Sequence, residues 1–259
     1  MSEDLNLAIS AAKRAGEVIL SYYKSEYEIK EKGYHNPVTT ADKEADSILK
    51  NILMNKRPNY GWLSEETVDS KNRLKKDKVW IVDPLDGTKE FIEGVPNFVV
   101  SIGLVQNGIP ILGVLYNPVT KELFSAEKNL GAYLNTSRIR CGKNKPFNEL
   151  TILNSRSESK RGLWDLYKSS FKELRPIGSV AYKLGLVAAT KGDVFATLRP
   201  KNEWDVCAGI CIINEAGGTS INLDGSKILF NQEYTLIKPG IISGHRNYVN
   251  NTIKILSRK

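Results

Sequence analysis

The sequence predicts a layered α/β fold, with helices and sheets alternating in two subdomains. Three observations predict it. Some segments repeat apolar residues at helical spacing, while others are short unbroken apolar runs bounded by turn residues, as buried strands are. The two kinds alternate along the 259 residues, which implies stacked layers and not a helix bundle. A basic, polar stretch at residues 137–149 then separates two halves, so we expect one subdomain over residues 1–145 and another over 146–259.

Leu5, Ile9, Ala12, Gly16 and Ile19 fall on one helical face, predicting an amphipathic helix over residues 4–23. Residues 26–35 are charged and run into Gly33-Tyr34-His35-Asn36-Pro37, a loop composition. A second helix follows, with Ala45, Ile48, Leu49 and Ile52 inward, Thr39 or Thr40 as its cap and Asp42 in its first turn. Residues 62–66 read as a strand end and 67–78 as an exposed loop. Residues 79–82 form a strand that Pro84, lacking an N–H, should stop in a turn. Residues 98–105 and 109–116 flank Asn107-Gly108, a hairpin signal, and 122–126 and 132–134 extend that sheet. The second half reads as a strand at 150–154, helices near 160–172 and 179–189, and a strand at 194–198. A buried helix then runs from Trp204 to Gly217-Gly218, and a last helix covers 247–256.

Apolar content of 41% and charged content of 25% are those of a soluble globular protein. No stretch is long enough for a membrane span and the N-terminus lacks a signal-peptide pattern, so a cytoplasmic location is expected. Cys141, Cys207 and Cys211 read as core thiols, and two histidines are too few for a His-rich zinc site. A metal would have to be held by carboxylates. The net charge of +8 would steer anionic substrates, phosphate esters among them. No nucleic-acid motif accompanies it.

The stretch Trp80-Ile-Val-Asp-Pro-Leu-Asp-Gly-Thr-Lys-Glu-Phe91 organises the chemistry. Asp83 and Asp86 on a rigid strand end can converge on one point, where two anions repel unless a cation sits between them. Oxygen ligands alone suit a hard divalent ion, Mg²⁺. Gly87 and Thr88 would open a short helix whose free N–H groups hold an anion beside it. Taken alone, Asp-Pro-Leu-Asp-Gly is also a plain turn composition.

Asp83-Pro-Leu-Asp-Gly-Thr-Lys-Glu-Phe91 resembles the signature of the inositol monophosphatase superfamily of Mg²⁺-dependent, lithium-sensitive phosphatases. Its Leu85 and Lys-Glu-Phe ending are most similar to the 3'(2'),5'-bisphosphate nucleotidase branch. Glu65-Glu66, Pro37-Val-Thr-Thr-Ala-Asp42 and the run from Trp204-Asp205 to Gly217-Gly218 match further motifs in the same order. The resemblance implies an alternating αβαβα sandwich of the sugar-phosphatase type, a homodimer, and roughly two or three Mg²⁺ ions per site. It implies metal ligation by Glu65, Asp83, the carbonyl of Leu85, Asp86 and Asp205. Thr88 and Asp42 would be the pair that accepts the proton of the attacking water. The Asp86 side chain is expected to contribute charge and no packing.

Ser179 and Lys183, in Ile177-Gly-Ser-Val-Ala-Tyr-Lys183, are candidates to face a substrate group, Lys183 matching a nucleotide-binding lysine of the nucleotidase branch. Ala181 stands where that branch has serine. The inositol enzymes carry a glutamate before Trp-Asp, but here Leu198-Arg-Pro-Lys-Asn202 is basic. Arg199 and Lys201 would suit a second phosphate. The favoured substrate is adenosine 3',5'-bisphosphate, with inositol 1-phosphate or fructose 1,6-bisphosphate as alternatives. A role as accessory binding protein in a transcription complex, known among such proteins, is a reading of another class.

Overall fold

The structure, a computed structural model, describes residues 1–33 and 36–256. Tyr34 and His35, in the middle of the expected 33–37 loop, lie outside the described residues. The chain opens with helix α1 (Glu3–Tyr22), strands β1 (Ile29–Gly33) and β2 (Asn36–Thr39) and helix α2 (Thr40–Lys56). Next come β3 (Gly61–Ser64), β4 (Lys78–Asp86), a short helix α3 (Thr88–Ile92), β5 (Val99–Gln106) and β6 (Ile109–Asn117). Strands β7 (Glu122–Glu127), β8 (Gly131–Leu134) and β9 (Ser137–Ile139) follow, β9 at the edge of the sheet. The second half holds β10 (Thr151–Ser155), α4 (Arg156–Lys160), β11 (Glu173–Ile177), α5 (Val180–Ala188), β12 (Val194–Thr197) and β13 (Lys201–Asn202). It ends with α6 (Glu203–Glu215), β14 (Thr219–Asn222), β15 (Leu236–Ile237), β16 (Ile241–Gly244) and α7 (Arg246–Leu256).

Strands β3 to β9 lie in sequence order in one sheet of seven strands. A second sheet of five has the order β11-β10-β12-β16-β14. The period of two along each strand assigns its faces. Trp80 and Val82 point into a core with the α1 residues Ala8, Ala12 and Ile19 and the α2 residues Ala45 and Leu49. Val79 and Ile81 point the other way, into a core shared with α5, α6 and the five-stranded sheet through Leu153, Phe195 and Ile241. Ile152, Val194 and Ile242 face a third core beneath α7. The layers are therefore helices, sheet, helices, sheet, helix: the αβαβα sandwich.

Local chemistry explains the elements. Ser2 caps α1, its hydroxyl accepting Leu5 N–H at 3.1 Å. Asn107 and Gly108, both at positive φ (52° and 74°), turn β5 into β6. Gly217, at φ 78°, ends α6: its N–H reaches the carbonyl of Asn214 and that of Gly218 reaches Ile213, a Schellman motif.

Helix α6 lies unusually close to the sheet. Gly103 and Gly113 face each other across β5 and β6. A Cβ on Gly113 would come 2.3 Å from the carbonyl oxygen of Ala208, and one on Gly103 would come 2.5 Å from Cys207 Sγ. The helix backbone thus rests on a glycine pair. Gly113→Ala is expected to destabilise the protein by about 1–3 kcal/mol, because the obstructed atom is backbone and the helix must lift. Denaturant unfolding checks this, with Gly225→Ala, where a Cβ meets nothing within 4 Å, as a comparison that carries only its own positive-φ cost.

Several sequence expectations are corrected. No helix spans 160–172: the described residues form the five-residue α4, a 3₁₀ turn over Asp165–Ser170, and the unexpected strand β11. Apolar Leu163, Leu166 and Phe171 mimic helical spacing, but only Phe171 of the three is buried. Strand β4 does not stop at Pro84. Its ladder passes a bulge and resumes at Asp86, opposite Val99. The 67–78 loop is not simply exposed either. Arg73 is buried, held by Asp69 at 2.9 Å and by Asn231 at 2.7 Å.

Candidate active site

The bulge in β4 does something regular pleating cannot. Residues three apart in a strand point to opposite faces. Here Pro84 and Leu85 together oppose one residue of β5, since Asp83 pairs with Ser101 and Asp86 with Val99. The extra residue resets the alternation, so that Asp83 and Asp86 share a face while the Leu85 side chain packs into the α1–α2 core. Asp83 Oδ1 accepts Leu85 N–H at 3.0 Å, fixing the corner.

Glu65 arrives from the neighbouring strand. β3 runs parallel to β4 with Ser64 beside Val82, and Glu65 N–H donates to the Val82 carbonyl at 3.2 Å. The turn is braced from α2, where buried Asp46 accepts the hydroxyls of Ser64 and, at 2.7 Å, Thr67. Asp205 comes from the first turn of α6, the helix seated on Gly103 and Gly113. One of its oxygens accepts Asn202 N–H at 2.9 Å as half of a capping box, which fixes the carboxylate at the helix start. Glu65, Asp83 and Asp205 thereby offer three oxygens within 4.8 Å of one another.

These carboxylates line a cleft of about 300 Å³ together with Leu85, Asp86, Gly87 and Thr88. Burial is the largest cause that pushes Asp83 well above the usual carboxylate range, and the charges of Glu65, Asp86, Asp205 and Asp42 add to it. Asp205 is pushed up to about 8, by burial first and then by Glu65 and Asp86. Burial thus raises the proton affinity of Asp83, Asp86 and Asp205, and a cation among them would lower it again.

Behind the cleft, Thr88 donates its hydroxyl to Asp42 Oδ1 at 2.9 Å and lies 3.2 Å from the Leu85 carbonyl. The other oxygen of Asp42 accepts Thr39 N–H at 2.7 Å, so this residue is at once half of the α2 cap and the partner of Thr88. Gly87 must be glycine: it sits at φ 109°, and a Cβ would come 2.9 Å from the Asn97 carbonyl.

The second-half residues sit differently from expectation. Asp86 contributes more than charge, because Oδ2 accepts the Ser179 hydroxyl and, at 2.6 Å, Ala181 N–H, tying β4 to the start of α5. Ser179 therefore points at Asp86. Lys183 lines the cleft but is 1% exposed, with its ammonium donating to the carbonyls of Ile177 at 2.8 Å and Ser179 at 2.5 Å. Burial brings it down to about 8, against the pull of Asp86. Arg199 is exposed and does not line the cleft, whereas Lys201, two residues on, does. Arg156 and Glu90 line the cleft as a 2.9 Å ion pair, with Glu90 filling the space beside Gly178. No motif spacing announced Arg156, as it lies in a Ser-Arg-Ser-Glu-Ser run that reads as polar surface.

The model of the inositol monophosphatase family matches residues 1–258. The chain belongs to the inositol monophosphatase family. It is 34% identical over 230 residues to an inositol-1-monophosphatase of Rhizobium meliloti, covering 85% of this chain and 86% of that protein. The extragenic suppressor protein suhB of Bartonella henselae has a similar structure, with TM-score 0.88, 30% identity and 99% of each chain covered. CysQ of Bacteroides thetaiotaomicron, a bacterial member of the inositol monophosphatase family, matches with TM-score 0.78 and 33% identity over 93% of this chain and 97% of that one.

Members of the inositol monophosphatase family are metal-dependent phosphoric monoester hydrolases, and the donor set fits such an ion. It is all oxygen, multiply anionic, half-buried around a buried Asp83, and converges from three separate elements. Stability should report it. A carboxyl whose folded value is raised favours the folded state at low pH, and that contribution is lost as pH rises through the folded value. The metal-free protein should therefore lose stability between about pH 4 and pH 8, the interval set by Asp205. Lys183, depressed to about 8, acts with the opposite sign only above that interval. Mg²⁺ should raise the melting temperature more at pH 8 than at pH 5, because ligands must be deprotonated to bind. Thermal scans in EDTA and in Mg²⁺ at the two pH values check it. Among the described residues no helix is long and apolar enough to cross a membrane.

Proposed function

We propose that this member of the inositol monophosphatase family hydrolyses a small bisphosphorylated metabolite with Mg²⁺, adenosine 3',5'-bisphosphate being the favoured substrate. The observation that carries the metal chemistry is the convergence of Glu65, Asp83 and Asp205 within 4.8 Å. In this reading those three, with Asp86 and the Leu85 carbonyl, hold the metal. When bound, Mg²⁺ would neutralise the cluster, lower the pKa of a bound water and stabilise the leaving oxygen.

The chain's own groups supply the rest. The N–H groups of Gly87 and Thr88 would orient the phosphoryl group at the head of α3. The Thr88 hydroxyl would take the proton of the attacking water while passing its own to Asp42 Oδ1, 2.9 Å away. The cap on the other Asp42 oxygen holds the acceptor in place. Asp86, tied to Ser179 and Ala181, keeps the second half in register with the first. A homodimer remains the expected assembly.

The bisphosphate preference rests on charge. Lys89, Arg156, Lys183 and Lys201 line the cleft. The glutamate nearest the Trp204 motif, Glu203, is fully buried and accepts the N–H groups of Asn231 and Gln232, at 2.6 and 2.8 Å, so it does not grip a sugar hydroxyl. The inositol-1-phosphate reading is favoured instead by the Rhizobium relative's name. Phosphate release in Mg²⁺ from adenosine 3',5'-bisphosphate, inositol 1-phosphate and fructose 1,6-bisphosphate tests the proposal. The highest kcat/KM should fall to the adenosine bisphosphate, and a preference for inositol 1-phosphate would replace this reading with the second.

A further inference from the structure

A second cavity of about 280 Å³ opens beside the cleft, and Lys89, Glu90 and Arg156 line both. Its remaining wall is built by Glu93, Lys160 and Arg161, so four cations face two carboxylates. Both carboxylates are already used: Arg156 spans them, at 2.9 Å from Glu90 and 2.7 Å from Glu93. Lys89, Lys160 and Arg161 form no ion pair among the described residues, and all three are exposed. An exposed cation that faces solvent alone has no consequence. Three of them on one concave wall, around a guanidinium clamped in place from α3, leave a surplus of positive charge along an open concavity.

From this we infer that the cavity of Lys89, Arg156, Lys160 and Arg161 is the subsite for the distal, non-reacting phosphate of the substrate. The inference rests on the bisphosphate reading above and locates its second anion. It takes the place of Arg199, which lies outside the cleft, and of Lys183, whose ammonium is spent on backbone carbonyls. Arg156 would be the orienting group, since two carboxylates fix its plane. Lys160, whose charge also acts on Glu93, and Arg161 would supply charge that no ion pair among the described residues holds. Because the two cavities share a wall, a substrate with its reacting phosphate at the carboxylate cluster can extend the other into this one.

The test is the double exchange Lys160→Gln and Arg161→Gln, both exposed positions where folding is not at stake. The KM for adenosine 3',5'-bisphosphate should rise about 10-fold or more, with kcat little changed. The kinetics for inositol 1-phosphate, which has no second phosphate, should stay as in the wild type. A second variant, Arg161→Glu, should weaken the bisphosphate further and leave the monophosphate alone. Unchanged bisphosphate kinetics, or an equal loss on both substrates, would overturn the subsite while leaving the substrate reading intact. Wild-type enzyme that turns over inositol 1-phosphate and neither bisphosphate would overturn the substrate reading itself, and the subsite with it.

Discussion

Asp83→Asn is expected to cut kcat by about 10³-fold while making the metal-free protein more stable at pH 8. The first half follows from the removal of a charge that stabilises the reacting centre, an effect on the order of 10²–10³ even for one neutral donor. The second half follows from the cluster. Asp83 is buried among Glu65, Asp86, Asp205 and Asp42, all of which raise its proton affinity. An asparagine keeps the carbonyl oxygen that accepts Leu85 N–H and removes one member of a mutually repelling set. Activity and stability should therefore move in opposite directions. Thermal melts in EDTA and steady-state kinetics in Mg²⁺, on the same preparation, check both. The Mg²⁺-induced rise in melting temperature should also shrink. Wild-type activity would make Asp83 a turn residue and nothing more.

Thr88→Val is the second variant with a large expected effect, a loss of about 10²-fold or more in kcat, the usual contribution of a positioned proton acceptor. The hydroxyl joins Asp42 Oδ1 to the rim of the cleft. Valine fills nearly the same volume and cannot carry a proton. It also leaves that oxygen of buried Asp42 without the Thr88 donor, at a cost of about 1–3 kcal/mol of stability. Thr88→Ser restores the hydroxyl, so recovery by serine and not by valine separates proton transfer from packing. Equal kinetics for both variants would remove Thr88 from the mechanism.

Much of the site was legible because its carboxylates lie close in sequence to strong backbone signals. Asp83 and Asp86 follow an apolar strand, and Asp205 follows Trp204 at the head of a buried helix. What remained hidden was three-dimensional compensation. A three-residue spacing on a strand does not put two side chains on one face; the bulge at Pro84 and Leu85 does, and proline was read as a stop because a missing N–H more often ends a ladder than bends it. Lys183 reads from the sequence as a candidate to face a substrate group, but lysine is seldom buried and no spacing shows that three nearby carbonyls accept its protons. Arg199 looked well placed in a basic run, but it is exposed and only Lys201 of that run lines the cleft, which no local pattern specifies.

The layers were read from periodicity, since buried strands and amphipathic helices alternate plainly from α1 to β6. The segment between β10 and α5 was misread. Short apolar spacings there gave a helix, where the chain makes a single turn of helix, a 3₁₀ turn and an edge strand. Arg156, at the start of that segment, was overlooked for the same reason. Its partner Glu90 is far away in sequence, and pairing across such a separation leaves no trace in spacing.

The central claim is that one metal site is assembled from both halves of the chain, with Asp205 as the second half's contribution. A crystal structure grown with Mg²⁺ and adenosine 3',5'-bisphosphate tests it most directly. The account predicts an ion bonded at about 2.0–2.1 Å to carboxylate oxygens of Asp83, Asp86 and Asp205, with the reacting phosphate beside Gly87 and Thr88. An ion held by first-half residues alone, with Asp205 keeping only its capping bond to Asn202, would contradict it.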